Sequence, residues 1–294
     1  MTSRDTRLLS GTTGAAPFFG GGRFDKDSRR SPDHGPLISI VTPSYNQGNY
    51  LEETIQSILN QNYPDLEYIV MDGGSTDGSV DIIRKYEKRI SHWRSGRDAG
   101  QSDALRHGFE MATGEILAWI NSDDLLEPGA LAAVGRFFAA HPEVELLYGN
   151  MNFIDAGGKR IFTAYPLLDL RILVYENRFI PQQAMFWRRE LYERVGGVNP
   201  ELRFAMDFEL TVRFLRAGAR VAKIHKPLAN FRSHPDAKSS TIRHVGEVEA
   251  RDVLARFFPG MEPMWKVFMK KMIYRGWRFL KEPRSLFSAV QSRW

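Results

Sequence analysis

The stretch that decides the fold is LISIVTPSYNQGNYLEETIQSILNQNYPDLEYIVMD, residues 37–72. Its beginning, Leu37–Pro43, and its end, Leu66–Asp72, are mainly apolar runs, which favour strands buried on both faces of a sheet. Between them, Tyr50–Gln61 carries apolar residues at helical spacing. A strand, a helix and a second strand at this spacing predict a βαβ unit, and therefore a parallel sheet.

The same alternation of helices and strands continues along the chain. Further helices are predicted at Ser79–Lys88, Gln101–Thr113, Gly129–Ala139 and Met206–Ala217. Further strands are predicted at Glu115–Asn121, Leu146–Asn150, Ala184–Trp187, Arg220–Ile224 and Leu228–Phe231. A hairpin is predicted where Asp155-Ala156-Gly157-Gly158 joins Met151–Phe153 to Arg160–Thr163. The fold class is therefore α/β, a Rossmann-like, mostly parallel sheet flanked by helices.

Composition divides the chain into three regions. Residues 1–36 are rich in Gly, Ser, Thr, Pro and Arg without apolar periodicity, and we expect a flexible arm there. The folded domain is expected at 37–258, followed by a helical tail at 259–294. In Met261–Leu280, apolar residues fall on one half of a helix and Lys and Arg on the other. This pattern suits an anionic membrane surface, and it suits a helix docked on the domain or a dimer contact equally well.

The composition also excludes several classes of site. The chain of 294 residues is 43% hydrophobic and 26% charged, as expected of a globular protein. It has no cysteine, which excludes disulfides, thiolate metal sites and cysteine nucleophiles. No apolar run reaches the ~18 residues of a membrane span, and residues 1–36 lack the apolar centre of a signal peptide. We therefore expect a cytoplasmic protein, peripheral on the inner face of the plasma membrane if the tail binds lipid.

The net charge of +5 is unevenly distributed. Residues 261–294 hold eight Lys/Arg and two Asp/Glu, whereas residues 1–36 hold six and four. The central residues 37–260 therefore carry a net charge near −3. A domain that binds nucleic acid normally presents a basic surface, so we expect no nucleic-acid partner.

Acidic side chains fall at strand ends and at the start of a helix. Asp72–Ser79 follows one predicted strand, Asn121–Asp124 follows another, and Asp207 opens the helix Met206–Ala217. Ligands of open α/β sheets bind beyond the carboxyl ends of the strands. A single acidic turn is usually only a turn or a helix cap, but two such turns at one sheet edge indicate a binding site.

Together with Thr42-Pro43-Ser44-Tyr45-Asn46, these motifs resemble a family 2 glycosyltransferase with the GT-A fold over Leu37–Phe231. The resemblance implies an inverting, hexosyltransferase-type enzyme that moves a sugar from a nucleotide-diphosphate donor to an acceptor hydroxyl. It further implies bacterial cell-surface glycan synthesis, with a glycan or lipid-linked acceptor. The sequence leaves the oligomeric state open.

The resemblance also implies a divalent cation, Mg²⁺ or Mn²⁺, which offsets the charge that builds on the departing diphosphate. Its expected ligands are Asp123 first, Asp124 second, and His234. The family often has an acid where this chain has Asn121. The alternative is that both aspartates cap the helix that begins near Pro128.

The implied donor-binding residues are Thr42, Pro43, Tyr45, Asp72, Asp98, Gln101, Asp103, Ser122 and Asp123. Asp72 corresponds to the acid that receives the nucleobase, usually uracil, which favours a UDP- or dTDP-linked sugar. Gly73 stands where many relatives have a second acid. Packing by Tyr45, and helix capping by Ser102 with Asp103, are the simpler alternatives.

The implied general base is Asp207, which would take the proton from the acceptor hydroxyl. Glu209, two residues further on, points to another face of the helix. Gln182 and Gln183 are expected on the acceptor side. The alternative for Asp207 is a first-turn acid favoured by the helix dipole.

Two functions of other classes stay open. A nucleotidyltransferase uses a similar sheet and a metal, but the loop after its first strand is normally rich in Gly and Arg. Here Ser44-Tyr45-Asn46-Gln47-Gly48 has no basic residue. A non-catalytic sugar-nucleotide-binding scaffold is favoured by Asn121 and Gly73, and a retaining mechanism is a weaker third possibility.

Overall fold

The computed structural model describes residues 18–20, 35–168 and 180–259, together with Ile273, Trp277 and Lys281. Its strands are β1 (Phe18–Gly20), β2 (Ile38–Ser44), β3 (Leu66–Asp72), β4 (His92–Ser95), β5 (Ile116–Trp119), β6 (Leu125–Leu126), β7 (Leu146–Ile154), β8 (Arg160–Ala164), β9 (Met185–Arg188) and β10 (Val221–Arg232). Its α-helices are α1 (Gly48–Leu59), α2 (Ser79–Lys85), α3 (Gln101–Met111), α4 (Ala130–Ala140), α5 (Arg189–Arg194), α6 (Met206–Arg216), α7 (Lys238–Thr241) and α8 (Arg243–Phe257), with a short 3₁₀ helix at Gln182–Ala184.

In this part of the chain, the ten strands form one sheet in the order β1-β4-β3-β2-β5-β9-β7-β10-β6, with β8 beside β7. The long ladders are parallel: β2 pairs with β3 and β5, β3 pairs with β4, and β7 pairs with β10. Antiparallel β9 joins the two parallel groups because it pairs with β5 on one side and β7 on the other. The structure is therefore the mixed α/β fold that the sequence predicts.

The core lies on both faces of the sheet. Every residue of β2 is buried, and its side chains alternate between two apolar clusters, because successive residues of a strand point to opposite faces. Ile40 belongs to one cluster and Val41 to the other. Helix α3 packs against β2 and β3, and Gly108 allows its close approach because a β-carbon there would lie 2.5 Å from the Val41 side chain.

The predicted βαβ unit is confirmed as β2, α1 and β3, and the predicted hairpin is confirmed as β7 and β8. Two predictions split strands that are continuous. Leu146–Asn150 and Met151–Phe153 are one strand, whose first part pairs with β9 and whose second part pairs with β8. The two late strands are also one, β10, because the chain passes Pro227 through register shifts rather than a break.

Other elements were not predicted at all. The polar strand β4, the two-residue β6 and the helix α8 have weak apolar patterns. Residues 1–36 were expected to form a flexible arm, but Phe18–Gly20 form the edge strand β1, antiparallel to β4. The arm therefore contributes at least three residues to the sheet.

The predicted amphipathic tail lies mostly outside the described residues. Ile273, Trp277 and Lys281 are helical, Ile273 is 66% exposed, and the Lys281 ammonium lies 4.9 Å from the centre of the Trp277 ring. Within the residues described, no helix is both long and apolar enough to span a bilayer.

Candidate active site

A cavity of about 750 Å³ opens where β2, β3 and β5 end, and α3, α6 and α7 begin at its wall. Such a position is typical of ligand sites in α/β sheets. The wall contains these residues expected from the sequence: Pro43, Tyr45, Asp98, Gln101, Ser122, Asp123, Asp124, Gln182, Gln183 and Asp207. Thr42, Asp72, Asp103 and His234 are not part of that wall.

Asp123 and His234 form a pair at the cavity. Asp123 lies in the loop after β5, His234 follows β10, and 3.0 Å separates the carboxylate Oδ2 from the imidazole Nε2. The His234 side chain is fully buried, whereas the Asp123 side chain is 17% exposed. The ring of Tyr50 lies 4.5 Å from the His234 ring and closes one side of it.

Asp124 has a different role, because its carboxylate is buried and fully engaged. Oδ1 accepts a hydrogen bond from the backbone N–H of Arg232 at 2.9 Å. Oδ2 accepts from Nε2 of Gln183 at 2.8 Å and from Nδ2 of Asn121 at 3.1 Å. Burial above all, and then the neighbouring Asp123, raise the pKa of Asp124 well above its usual range. The carboxylate of Asp124 therefore holds the loop together.

The capping alternative for these two aspartates does not describe the structure. Helix α4 begins at Ala130, and Gly129 stands at its N-cap position without a side-chain hydrogen bond. The oxygens of Asp124 are used within the loop, and Asp123 faces the cavity.

The buried Arg232 holds the loop that contains Asp123 and Asp124. It is 1% exposed, and its Nε donates to the backbone oxygen of Asp123 at 3.0 Å. Its remaining nitrogens donate to the backbone oxygen of Ala156 at 2.8 Å and to the Glu53 carboxylate. A buried guanidinium needs such partners to offset its desolvation, so these contacts tie Asp123 to α1 and to the β7–β8 hairpin.

A divalent cation fits this arrangement. Among the described residues no group of three or more His, Cys, Asp or Glu side chains is placed to hold a metal, and of the expected ligands Asp123 and the His234 hydrogen-bonded to it would hold the cation. Mg²⁺ commonly takes only one or two carboxylates and completes its shell with substrate phosphates and water. Asp124 does not fit as a ligand, because its oxygens are occupied by three donors.

Asn121 forms hydrogen bonds with two other residues that line the cavity. Its Oδ1 accepts from Nε2 of Gln101 at 2.8 Å, and its Nδ2 donates to Asp124 as described. Gln182, expected on the acceptor side, donates through Nε2 to the backbone oxygen of Trp119 at 2.7 Å. Gln182 and Gln183 are both buried and support this loop while they line the cavity.

Asp98 is one of the acidic side chains in the cavity wall. Its Oδ1 accepts from the N–H of Gly100 at 2.8 Å, and desolvation is the main cause that raises its pKa. A β-carbon at Gly73 would lie 3.0 Å from Oδ2 of Asp98. The missing side chain at position 73 therefore leaves room for the Asp98 carboxylate.

Asp72, which was expected to receive the nucleobase, lies outside the wall of this cavity. Its Oδ2 accepts from the N–H groups of Gly74 and Ser75, both at 3.0 Å, and from Oγ of Ser95 at 2.7 Å. Its Oδ1 accepts from Oγ of Ser75. The residue is 3% exposed, so its carboxylate organises the loop after β3, and with Asp98 it lines a smaller neighbouring pocket of about 50 Å³.

Thr42 and Asp103 are likewise used in local structure. The Thr42 hydroxyl accepts from Oη of Tyr68 at 3.1 Å inside the core. Asp103 accepts from the N–H of Ala99 at 3.2 Å and pairs with Arg106 at 2.9 Å. Asp103 lies in the first turn of α3 as the alternative expected, but the N-cap is Gly100 and Ser102 does not cap the helix.

Asp207 lies in the first turn of α6 and faces the cavity. Its Oδ1 accepts from the N–H of Phe208 at 2.7 Å. Desolvation by the surrounding protein raises the pKa of Asp207 to about 6. A carboxylate with this pKa is a stronger base than an ordinary one and is still ionised at neutral pH. Glu209 points elsewhere and pairs with Arg213 at 2.6 Å.

Arg203, Phe204 and Lys238 also line the cavity and were missed in the sequence. Lys238 donates to Oε1 of Gln101 at 2.7 Å and to the backbone oxygen of Arg203 at 2.6 Å. Lys238-Ser239-Ser240 has no pattern that distinguishes it from an ordinary polar turn, so the only available signal was its closeness to His234 in the sequence.

Comparison with known proteins identifies the family. The sequence model of Glycosyl transferase family 2 matches residues 39–196. A PGL/p-HBAD biosynthesis glycosyltransferase of Mycobacterium bovis is 32% identical over 208 residues, which cover 67% of this chain and 77% of the relative. The O-antigen biosynthesis protein RfbC of Myxococcus xanthus is 31% identical over 70% of this chain, a stretch equal to 16% of RfbC.

Two solved structures share the fold. S. aureus TarS in complex with UDP-GlcNAc superposes with a TM-score of 0.61 at 18% identity, over 85% of this chain and 75% of that one. The mannosyltransferase PcManGT from Pyrobaculum calidifontis, in complex with GDP-Man and Mn²⁺, superposes with a TM-score of 0.56 at 18% identity, over 90% and 87%. The fold of this chain is thus the expected GT-A type, and the matched sequence over 39–196 places the chain in glycosyltransferase family 2.

Proposed function

We propose that this chain is an inverting, metal-assisted hexosyltransferase that uses a nucleoside-diphosphate sugar. The observation that carries the proposal is the cavity of about 750 Å³, whose wall contains both Asp123, hydrogen-bonded to His234, and the Asp207 carboxylate. A cation-binding pair suits the diphosphate, and a carboxylate with its pKa raised to about 6 suits a general base.

The reaction follows from these groups. Asp207 takes the proton of the acceptor hydroxyl as that oxygen attacks the anomeric carbon of the donor sugar. The bond from the anomeric carbon to the diphosphate oxygen breaks, and its electron pair leaves with the nucleoside diphosphate. Attack on the face opposite to the leaving group inverts the configuration. Asp123 and His234 would hold the divalent cation, which would supply positive charge to stabilise the departing diphosphate.

The donor end of the cavity is assigned to Pro43, Tyr45, Asp98, Gln101 and Ser122, which line it together with Asp123. Structural relatives are complexed with UDP-GlcNAc and with GDP-Man, which supports a nucleotide sugar in general. We keep a uridine or thymidine base as the proposal. With Asp72 turned inward, Asp98 is the carboxylate available to the base or ribose.

The acceptor is proposed to be a glycan or lipid-linked molecule of the bacterial cell surface. The support comes from relatives named for PGL/p-HBAD and O-antigen biosynthesis. Residues 37–258 are proposed as the catalytic domain, and the basic tail 259–294 as a peripheral membrane contact.

The test begins with binding. UDP, dTDP and GDP are each added to the full chain with Mn²⁺ and with excess chelator, and thermal unfolding is followed. A nucleotide at 100 times its Kd stabilises the folded protein by about 2.7 kcal/mol. Slow hydrolysis of UDP-GlcNAc or GDP-mannose then separates an enzyme from a binding scaffold, and the anomer of a transfer product separates inversion from retention. Nucleotide binding without any hydrolysis would favour the scaffold.

A further inference from the structure

The segment Leu202–Ala205 connects the cavity wall to α6. Leu202, Arg203 and Phe204 line the cavity, and Asp207 follows two residues after the segment ends. The orientation of the proposed base therefore depends on how this segment is held.

Glu249 in α8 holds the segment through its backbone. One carboxylate oxygen accepts from the N–H of Arg203 at 2.8 Å. The other accepts from the N–H of Phe204 at 2.9 Å and of Ala205 at 2.8 Å. Three consecutive amide groups thus converge on one carboxylate from an element more than 40 positions later in the sequence.

This contact lies at the N-terminus of α6. The preferred N-cap residues are Ser, Thr, Asp and Asn, whose side chains accept from the second or third amide group of the helix. Here the N-cap residue is Ala205, which has no side-chain acceptor. Glu249 accepts from the N-cap amide group of Ala205 and from the two amide groups before it, and its negative charge lies near the positive end of the helix dipole.

Helix α8 can approach the segment closely because residue 246 is glycine. A β-carbon at position 246 would lie less than 3 Å from three atoms of the Phe204 ring. The ring therefore packs directly on the backbone of α8, one turn before Glu249. The same helix fixes both the backbone of the segment and the side chain of Phe204.

The carbonyl side of the segment is held from other elements. Nζ of Lys238 donates to the backbone oxygen of Arg203 at 2.6 Å, and Oγ of Ser102 in α3 donates to the backbone oxygen of Leu202. The segment is therefore fixed on its N–H side by α8 and on its carbonyl side by α3 and α7.

We propose that Glu249 is a positioning residue for Asp207, and that α8 belongs to the catalytic unit although it lies beyond the residues 39–196 that the family model matches. Glu249 contacts no reacting group; it sets the start of α6, and with it the direction of the Asp207 carboxylate and the place of Phe204 in the wall. The proposal rests on the proposed role of Asp207.

The chemistry predicts a graded series of variants. Glu249→Gln keeps one acceptor oxygen and replaces the other with an N–H₂ group that cannot accept. Glu249→Ala keeps no acceptor. Gly246→Ala reaches the same segment from the Phe204 side. Glu247, exposed on the same helix, gives the matched control Glu247→Ala.

The experiment uses the full chain and two readouts. Hydrogen exchange is measured over residues 202–208, and hydrolysis is measured with Mn²⁺ on whichever of UDP-GlcNAc and GDP-mannose the unmodified protein hydrolyses faster. In Glu249→Ala we expect exchange at 203–205 to quicken about tenfold or more, since local opening governs amide exchange. We expect kcat to fall roughly 10- to 100-fold with donor KM within about twofold, because misplacement of a catalytic group lowers turnover. Glu249→Gln lies in between, and Glu247→Ala matches the unmodified protein.

Several results would overturn the proposal. Unchanged exchange at 203–205 in Glu249→Ala shows that Glu249 does not hold the segment, whatever the activity. Faster exchange with unchanged kcat shows that Glu249 holds the segment but does not position the base. Loss of exchange protection throughout the sheet in both Glu249→Ala and Glu249→Gln assigns Glu249 to general stability. Asp207→Asn in the same series separates the base assignment of Asp207 from the positioning role of Glu249. Near-normal turnover in Asp207→Asn rejects the base assignment. A large loss of turnover in Asp207→Asn without a loss in Glu249→Ala rejects only the positioning role.

Discussion

Asp123 and His234 are 111 positions apart in the sequence, yet the carboxylate of one lies 3.0 Å from the imidazole of the other. The pairing is possible because β6, which directly follows the loop of Asp123, pairs with β10, and β10 ends two residues before His234. Arg232, two residues before His234, binds the backbone of Asp123. The strand end and the loop are therefore assembled as one unit.

The first prediction concerns this pair. Asp123→Ala and His234→Ala should each abolish the Mn²⁺-dependent part of the thermal shift with UDP, because each removes one of two protein ligands. Excess chelator should stop donor hydrolysis by the unmodified protein. Asp236→Ala is the control, since Asp236 lines the same cavity and is exposed. Full hydrolysis in excess chelator would reject the metal assignment.

The second prediction concerns Asn121, where relatives often have an acid. Asn121→Asp would place a carboxylate where Nδ2 now donates to Asp124 at 3.1 Å. Repulsion between the new carboxylate and the buried Asp124, together with the lost hydrogen bond, should lower the free energy of unfolding by about 1–3 kcal/mol. Metal-dependent nucleotide binding should weaken rather than improve. Asn121→Ala loses the bond without adding charge, so chemical denaturation should find it less destabilised than Asn121→Asp; the reverse order would contradict the repulsion.

The parts of the site that could be predicted are those carried by short motifs. Asp123, Asp207 and Asp98 lie at strand or helix ends, and strand ends meet at one edge of a parallel sheet. Asp72 satisfies the same criterion, but a sequence does not show whether a carboxylate accepts from its own loop or from a ligand. In the structure, the Asp72 carboxylate accepts from the N–H groups of Gly74 and Ser75 in its own loop.

The parts that could not be predicted depend on distant contacts. Helix α8 buries only Gly246, Ala250, Val253 and Leu254 of its fifteen residues, so its apolar pattern is too weak to predict a helix. Its Glu249 reads as an ordinary surface charge until the tertiary structure brings the start of α6 onto it. Similarly, the predicted strands Arg220–Ile224 and Leu228–Phe231 leave a gap that β10 crosses through register shifts at Pro227.

The third prediction concerns the tail. Residues 261–294 carry a net charge of +6, and residues 37–260 a net charge near −3. Each Lys or Arg near an anionic leaflet contributes on the order of 1 kcal/mol, and salt screens this attraction. The full chain should therefore sediment with phosphatidylserine vesicles at moderate salt, and a chain ending at residue 260 should not.

The control for the tail is activity in solution. The shortened chain should keep its metal-dependent donor hydrolysis, because every residue assigned to the cavity lies before position 261. Absence of binding by the full chain at low salt contradicts the membrane role. Unfolding of the shortened chain shows instead that the tail packs on the domain.

The last prediction concerns Asp207, whose pKa is raised to about 6 by desolvation. The ionised form is the base, so turnover should rise with pH through about 6 and then level off. Because the folded-state pKa exceeds the unfolded value of about 3.9, the folded protein binds this proton more tightly, and the group's contribution to stability declines as pH rises from about 4 to about 6.

Asp207→Asn has no charge to desolvate. At pH 7 its free energy of unfolding, measured by chemical denaturation, should be higher by on the order of 1 kcal/mol after allowing for the solvent in the cavity. Turnover should fall by the ~10²–10⁴-fold typical of a lost general base. Donor affinity should persist, and Asp236→Asn should change neither quantity. An asparagine variant that is less stable and equally active would show that Asp207 serves α6 as a structural acid and not the reaction.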